Sequence, residues 1–173
     1  ELWGLNNTGQ TGGTTDADID APEAWDTTTG DGTIIVGIID TGIDYTHEDL
    51  TDNMWVNMPE GTGTPGVDDD SNGIVDDIFG ARWVSGTGVP TSGDPMDDQS
   101  PTFHGTHCAG TVGALGNNSK GISGVIPNVQ LMALKFLSSS GSGSTADAIS
   151  PGDTMRANSA LVLRGNQAWV SRV

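Results

Sequence analysis

Two continuous apolar runs constrain the fold of this chain more than any other feature. The first, residues 33–39, reads TIIVGII and is rich in β-branched side chains, and the second, residues 129–137, reads VQLMALKFL. Strands buried on both faces of a parallel sheet have such runs, because neither face meets water. Between them, residues 105–115 carry small side chains at helical spacing, which predicts a helix that packs very closely on its neighbours. The pattern predicts an α/β domain with a parallel sheet.

The remaining segments predict shorter helices, long loops and a distinct tail. The sequence Asp20-Ala21-Pro22-Glu23 predicts a helix start that Asp20 caps. A second helix should begin near Thr145 and stop at Pro151-Gly152, because proline lacks the N–H that a helix interior needs. Residues 154–173 hold three arginines and no acid, whereas all 23 acids precede them. We therefore divide the chain into one domain, residues 1–150, and a tail, residues 151–173; a basic helix docked on an acidic body is the alternative.

The net charge of −17 over 173 residues limits the partners of this chain. Nucleic acid is excluded as a partner because phosphate contacts need a basic face, and anionic membranes are excluded for the same reason. No run of about 18 apolar residues is present, so the sequence predicts no membrane span. Nineteen of the 23 acids are Asp, and 26 residues are Gly. This composition suggests a loop-rich secreted protein that binds calcium or tolerates salt, and solubility through self-repulsion explains the charge equally well.

Two residues have positions and side chains that suit catalysis. Asp40 follows the first apolar run and precedes Gly42, and acids at the carboxyl end of a parallel strand often lie in active sites; an Asp that caps the next turn is an equal alternative. His104 precedes the small-residue helix, where it could act as a general base if a carboxylate fixed its tautomer. His107 and Cys108 could form a metal site with it, but we prefer a buried, hydrogen-bonded His107.

A third candidate site is the acidic loop DDDSNGIVDD at residues 68–77. Oxygen-bearing side chains alternate along it and Gly73 is sixth, as in an EF-hand loop, but Phe79 stands at the twelfth position instead of Glu. Five acids in ten residues would repel one another without a cation, so we predict a calcium site rather than a solvated turn. A second acidic cluster, residues 94–98, is balanced between calcium ligands and a charged loop. The predicted ligands in the first loop are Asp68, Asp70, Asn72, the carbonyl of Ile74, Asp76 and Asp77.

The segments IIDTGID around Asp40, HGTHCAGTVGA around His104 and the strand LMALKFL together resemble the N-terminal half of a subtilisin-like serine protease, the subtilase family. The resemblance runs from Leu2 to about Ile149. It implies a three-layer α/β parallel-sheet fold, secretion and hydrolysis of peptide or protein substrates, with Asp40 and His104 as the catalytic Asp and His. It also implies a thiol behind the catalytic His, a buried second histidine, a calcium ligand and a segment that pairs with the substrate backbone: Cys108, His107, Asp49, and Gly141-Ser142-Gly143.

The resemblance ends before the family's nucleophile. The sequence contains no GTSMA-type motif, and Asn158 follows His104 too closely to be the family's oxyanion asparagine. From Pro151 onward the sequence is unlike a subtilase, so we expect a truncated relative with a frame-shifted or foreign tail, which is not a protease by itself. Two alternatives are a non-catalytic calcium-binding fragment that self-associates, and a weak hydrolase or esterase that uses Asp40 with His104. The segment QSPTF before His104 also departs from the family's Gly-rich approach.

Overall fold

The computed structural model describes residues 2–157, 161–164 and 167–169, and the side chains of residues 2–152. One sheet in this part of the chain has the strand order β2-β3-β1-β4-β5, in which the first four strands are parallel and β5 is antiparallel to β4. No helix among these residues is both long and apolar enough to cross a bilayer. The strands are β1 (Ile35–Asp40), β2 (Gly80–Arg82), β3 (Gln130–Lys135), β4 (Leu161–Arg164) and β5 (Gln167–Trp169).

The two predicted apolar runs form the central strand pair of the sheet. β1 and β3 run parallel, with Ile35 opposite Gln130 and Asp40 opposite Lys135. Successive side chains of a strand point to opposite faces, so a strand buried on both faces must contribute to two separate clusters. This prediction is confirmed, because the side chains alternate between one cluster with Val36, Ile38, Leu131 and Ala133 and a second with Ile39, Met132 and Leu134.

The helix predicted from small residues packs as closely as its composition indicates. The described α-helices are α1 (Ala21–Trp25), α2 (Met58–Thr62), α3 (His104–Gly113) and α4 (Thr145–Ala157), and a short 3₁₀ helix spans Thr51–Asn53. A Cβ atom on Gly105 would lie 2.1 Å from the carbonyl oxygen of Gly42, and one on Gly113 would lie 2.5 Å from Val129 Cγ1. Only glycine therefore allows α3 to approach the turn after β1 and the start of β3.

Two local predictions about helix ends are wrong. Asp20 does not cap α1 with its side chain. Its φ of 54° lies in the left-handed region, whereas a capping residue has an extended backbone that aims its side chain at the first turn. The second error concerns α4, which continues through Pro151 to Ala157. Proline costs about 3 kcal/mol in a helix interior, but Pro151 and Gly152 are buried, and this packing offsets the lost hydrogen bond.

Part of the predicted tail belongs to the sheet. The backbone of residues 161–164 pairs in parallel with β1, on the side opposite to β3. The strand that ends in Asp40 therefore has a neighbour on both sides, and the outer strands of the described sheet are β2 and β5. The division at residue 150 stays a prediction.

Candidate active site

Asp40 is the last residue of β1 and is buried, with 4 % of its surface exposed. Its Oδ1 atom accepts a hydrogen bond of 2.7 Å from the backbone N–H of Thr41. The chain turns at once, and Gly42 adopts a φ of 104°, where a Cβ would lie 2.2 Å from the carbonyl oxygen of Pro95. The turn that presents the carboxylate at the end of the sheet therefore requires glycine at this position.

His104 is the first residue of α3, and its imidazole pairs with Asp40. The Nδ1 atom lies 2.8 Å from Oδ1 and 2.9 Å from Oδ2 of the carboxylate. An ionised carboxylate only accepts hydrogen bonds, so Nδ1 carries the hydrogen and Nε2 is left as the acceptor. The side chain of His104 is 57 % exposed, whereas that of Asp40 is 5 % exposed. A buried carboxylate that orients an accessible imidazole is an arrangement suited to general base catalysis.

The N-terminus of α3 is fixed by side chains from outside the helix. Phe103, which precedes α3, has a φ of 44° and offers no side-chain cap. Instead, Gln99 Oε1 accepts from the N–H of His104 at 3.1 Å, and Thr41 Oγ1 accepts from the N–H of Gly105 at 2.8 Å. The buried carboxylate of Asp97 accepts from both the N–H and the hydroxyl of Thr106. These bonds satisfy the first three N–H groups of α3 and hold His104 against Asp40.

Sequence reasoning missed Gln99 and Asp97 as positioning residues. Gln99 belongs to the segment QSPTF that departs from the family pattern, and Asp97 belongs to the second acidic cluster, for which the sequence favours neither calcium ligands nor a charged loop. In the structure Asp94 binds the Tyr45 hydroxyl, and Asp97 binds the start of α3. Asp98 binds Lys135, so each acid of the cluster has a protein partner. The departure from the family pattern was the available signal for Gln99.

Lys135 is a second residue that sequence reasoning missed. It lies opposite Asp40 in the register of β1 and β3 and has no exposed surface. Its Nζ atom donates to the carbonyl oxygen of Thr41 and, at 2.7 Å, to Asp98 Oδ1. The buried ammonium group therefore ties the backbone directly after Asp40 to the loop before α3.

The prediction that His107 is buried is wrong, because this residue is exposed. It lies on the side of α3 that borders an open cavity of about 490 Å³. His47, Phe103 and Ile122 line the same cavity, and the described part of the chain places no element over it. His107 would be buried only if other residues packed over this cavity, and the local sequence around His107 does not show whether they do.

Cys108 lies one helical turn after His104 and close to the Asp40–His104 pair. Its Sγ atom is 3.8 Å from His104 Nδ1, and the side chain is half-buried. Burial raises the pKa of the Cys108 thiol, and the nearby carboxylates of Asp40 and Asp97 raise this pKa further. A raised pKa favours the protonated form of this thiol.

The segment predicted to meet the substrate is a turn directly after β3. Ser138 N–H donates to the carbonyl oxygen of Ser142 at 2.9 Å, and Gly141 N–H donates back to Ser138. A Cβ on Gly141 would lie 2.6 Å from Gln99 Nε2, so this turn touches the segment before His104. The structure thus brings Gly141, Ser142 and Gly143 near the Asp40–His104 pair, and their contact with a substrate stays a prediction.

The acidic loop forms a compact cluster around two of the predicted calcium ligands. One carboxylate oxygen each of Asp70, Asp77 and Glu60 lies within 4.8 Å of the others. The amides of Asn57 and Asn72 both donate to Asp70 and to Asp77, at 2.8–3.0 Å. Glu60 is buried in α2, eight residues before the loop begins, and sequence reasoning missed it because nothing local links α2 to the loop.

Other predicted ligands lie outside that cluster. Asp68 accepts from the N–H groups of Asn72 and Gly73, and Asp76 accepts from Gly66 N–H, so both shape turns. The N–H of Ile74 binds Asn72 Oδ1. Asp49 is buried elsewhere, where its two oxygens accept from Asn118 Nδ2 at 2.6 Å and from Ile122 N–H at 2.9 Å.

The electrostatics of the cluster suit a hard cation. Burial raises the pKa of Asp77 to about 6, and the charges of Asp70 and Glu60 add to this rise, although hydrogen bonds from Asn57 and Asn72 oppose it. The three carboxylates, of which those of Glu60 and Asp77 are buried and that of Asp70 is exposed, have oxygens within 4.8 Å of one another and repel, and a divalent cation would relieve that repulsion. The donors are all oxygen, as calcium requires. The residues present therefore fit a calcium ion at Glu60, Asp70 and Asp77.

Comparison of the sequence with known proteins finds one matching family and several similar proteins. The model of the subtilase family matches residues 31–163. Subtilisin-like protease 1 of Plasmodium berghei is 44 % identical over 121 residues, which cover 70 % of this chain and 19 % of that protein. An extracellular protease of Xanthomonas campestris is 35 % identical over 139 residues (78 % and 22 %), and halolysin of Haloferax mediterranei is 35 % identical over 130 residues (75 % and 20 %). The chain spans about a fifth of the length of these relatives.

Proposed function

The chain belongs to the subtilase family and has its three-layer α/β fold, and from this we propose that it supplies two of the three catalytic residues of a secreted, calcium-stabilised serine endopeptidase. The observation that carries the proposal is the pairing of His104 Nδ1 with both oxygens of the buried Asp40 carboxylate, at 2.8 and 2.9 Å. Asp40 is the orienting acid, and His104 is the general base.

The proposed reaction is acyl transfer from a peptide bond to a serine hydroxyl. Asp40 keeps the hydrogen on Nδ1, so the basic Nε2 of His104 can take the hydroxyl proton while the serine oxygen attacks the peptide carbonyl. His104 then returns the proton to the leaving amine. The turn at Ser138 to Ser142 lies beside the pair through Gln99 and Gly141, which suits it to bind the substrate backbone as an added strand.

The nucleophile and the oxyanion donor are the missing parts of this mechanism. The 173 residues contain no GTSMA-type motif, so we propose that peptide cleavage needs a serine-bearing segment other than those in this sequence. Loss of one oxyanion donor alone costs on the order of 100- to 1,000-fold in rate. The isolated 173-residue chain is therefore not an autonomous protease in this proposal.

Calcium would have a structural role at the cluster of Glu60, Asp70 and Asp77. In this proposal the ion lies between α2 and the acidic loop. These two segments are joined mainly by the Glu60 carboxylate of α2, which accepts hydrogen bonds from backbone N–H groups of the loop. It would compensate the charge of the three acids, of which Glu60 and Asp77 are buried, and would take no part in peptide hydrolysis. The second candidate function is calcium binding and self-association without catalysis. The cluster of Glu60, Asp70 and Asp77 favours this function if no serine-bearing segment completes the active site.

Secretion is proposed from the named relatives and the composition. The Xanthomonas relative is named as an extracellular protease. The net charge of −17 with 19 Asp residues suits a soluble protein that holds calcium outside the cell. No nucleic acid or membrane partner is proposed, and the proposed substrates are peptides or proteins.

A chimera tests the proposed roles. Residues 31–150 replace the matching segment of the Plasmodium berghei relative, and casein cleavage is measured together with labelling by a serine-directed phosphonate. We expect cleavage that falls at least about 10⁴-fold in His104→Ala and is largely retained in His107→Ala, a control on the same helix. Equal activity of these two variants would contradict the assignment. The 173-residue chain alone should neither cleave casein nor be labelled stoichiometrically, and slow hydrolysis confined to activated esters would favour the esterase alternative.

A further inference from the structure

We propose that Asp40, His104 and Cys108 form a binding site for a thiophilic divalent transition metal, of which Zn²⁺ is the model case. One donor atom from each residue, a carboxylate oxygen, an imidazole nitrogen and the thiol sulfur, lies within 4.8 Å of the other two. This set is chemically distinct from the cluster of Glu60, Asp70 and Asp77, which offers only oxygen. The proposal concerns metal binding by the chain itself and does not depend on its role in proteolysis.

The distances between the donors are close to those of a tetrahedral zinc site. Zn–S bonds of about 2.3 Å and Zn–N or Zn–O bonds of about 2.0–2.1 Å place neighbouring donors roughly 3.3–3.6 Å apart. Cys108 Sγ and His104 Nδ1 are 3.8 Å apart, and His104 Nδ1 and Asp40 Oδ1 are 2.8 Å apart. The first distance must shorten slightly and the second must open by about half an ångström, which the half-exposed imidazole ring can absorb by a small rotation.

The backbone already preorganises the three ligands. His104 and Cys108 are four residues apart on α3, so their side chains lie on one face of the helix. Asp40 enters from the end of β1 and is held by its bond to Thr41 N–H. The side chain of His104 is 57 % exposed, which leaves an entry path and a fourth coordination position for water.

The chemistry of the ligands selects the metal. A thiolate and an imidazole prefer Zn²⁺, Co²⁺ or Cu²⁺ over Ca²⁺ and Mg²⁺. When the metal–sulfur bond forms, the S–H bond of Cys108 breaks and its proton passes to the buffer. The imidazole must offer the lone pair of Nδ1, so its hydrogen leaves Nδ1 and a proton from solvent is bound at Nε2. Metal binding therefore releases one net proton per ion.

This proton rearrangement has a consequence for the proposed protease. With the metal on Nδ1, Nε2 carries a hydrogen and cannot accept the proton of an attacking hydroxyl. Asp40 is also diverted from orienting the imidazole to coordinating the metal. A protein with this site occupied would therefore lack its general base, and micromolar Zn²⁺ would act as a reversible inhibitor wherever the catalytic pair is used; this last step alone rests on the proposed function.

Cobalt titration of the 173-residue chain tests the site directly. The titration is carried out with Co²⁺ in millimolar calcium, which occupies oxygen-only sites, and with a phosphine reductant. We expect one equivalent of Co²⁺ to produce the sulfur-to-cobalt charge-transfer absorption, and Zn²⁺ to displace it. The absorption should vanish in Cys108→Ala, and the Co²⁺ affinity should fall at least about tenfold in His104→Ala and Asp40→Asn. His107→Ala is the matched control and should bind as the parent does.

A second measurement covers the case in which a variant does not fold. In the unmodified chain, Zn²⁺ should slow alkylation of Cys108 by iodoacetamide at least tenfold, and a chelator should restore the rate. Absence of the charge-transfer absorption, or unchanged alkylation with Zn²⁺, would overturn the site. Co²⁺ affinity that is the same in His104→Ala as in the parent would overturn the three-residue ligand set. Neither result would bear on casein cleavage by the chimera, so this proposal and the proposed function fail separately.

Discussion

The buried ammonium group of Lys135 donates a hydrogen bond to the carbonyl oxygen of Thr41, the residue directly after Asp40. Lys135 also lies opposite Asp40 in the register of the two central strands. The cation is balanced by Asp98, whose carboxylate lies 2.7 Å from Nζ and 3.7 Å from an Arg82 nitrogen. The backbone turn that presents the Asp40 carboxylate is thus held by a charge inside the protein.

Lys135→Met should destabilise the chain by about 2–3 kcal/mol. The change keeps much of the side-chain volume but leaves the Thr41 carbonyl without this donor and Asp98 without its buried partner, and breaking such a pair is costly. The expected loss is below that of a fully buried pair because Asp98 is 44 % exposed. Urea unfolding measures it. The control is Lys120→Met, which removes an exposed pair with Glu48 and should change stability far less; equal losses would contradict the special role of Lys135.

Calcium should stabilise the chain against heat. An ion bound only by the folded state adds roughly 2.7 kcal/mol at a concentration one hundred times its dissociation constant, which for a chain of this size raises the Tm by several degrees. Thermal unfolding with calcium and with excess chelator measures the difference. Asp70→Ala and Glu60→Gln should each remove most of it, whereas Asp52→Ala, at an exposed acid, should not. Identical Tm values with and without calcium would refute the site.

The metal-free chain should lose stability as the pH rises through 6, in part because of Asp77. Burial raises the pKa of Asp77 to about 6 in the folded state, above the value of 3.8 for an exposed Asp. The folded state therefore binds this proton more tightly than the unfolded state, so the contribution is fully present below pH 3.8 and is lost as the pH passes about 6. The Tm in calcium-free buffer from pH 4 to pH 7.5 reports this loss. Asp77→Asn should flatten the decline, and an unchanged slope would show that other groups cause it.

We expect the chain to self-associate at concentrations of tens of micromolar. The cavity beside α3 exposes Phe103 and Ile122 (40 % and 39 % exposed). Exposed apolar surface favours contact with another copy. Sedimentation velocity should show species larger than a monomer. Phe103→Asn, which suits the left-handed backbone at this position, should reduce them; a clean monomer for the parent chain would contradict the expectation.

The sequence alone determined the centre of the fold and singled out Asp40 and His104, which the structure pairs. Apolar runs around Ile38 and Leu131 predicted parallel strands buried on both faces, and the structure confirms them. Asp40 and His104 could be named because each lies at the end of a strand or the start of a helix, where local pattern and position coincide. Gly105 and Gly113 could be understood in the same way, since small residues on one helix indicate close packing.

Tertiary structure decided which distant residues complete each site. Glu60 joins Asp70 and Asp77, and Asp97 and Gln99 hold the start of α3, although no local pattern connects them. Tertiary contacts also overrode local rules at Pro151, where burial keeps α4 intact.

Lys135 shows the physical reason most clearly. A lysine in an apolar strand is unfavourable by local propensity, and it becomes stabilising only when the fold brings a carbonyl and a carboxylate to its ammonium group. Backbone hydrogen bonding and apolar periodicity act over a few residues and can be read along the chain. Electrostatic partners act through space, so the folded structure alone decides them.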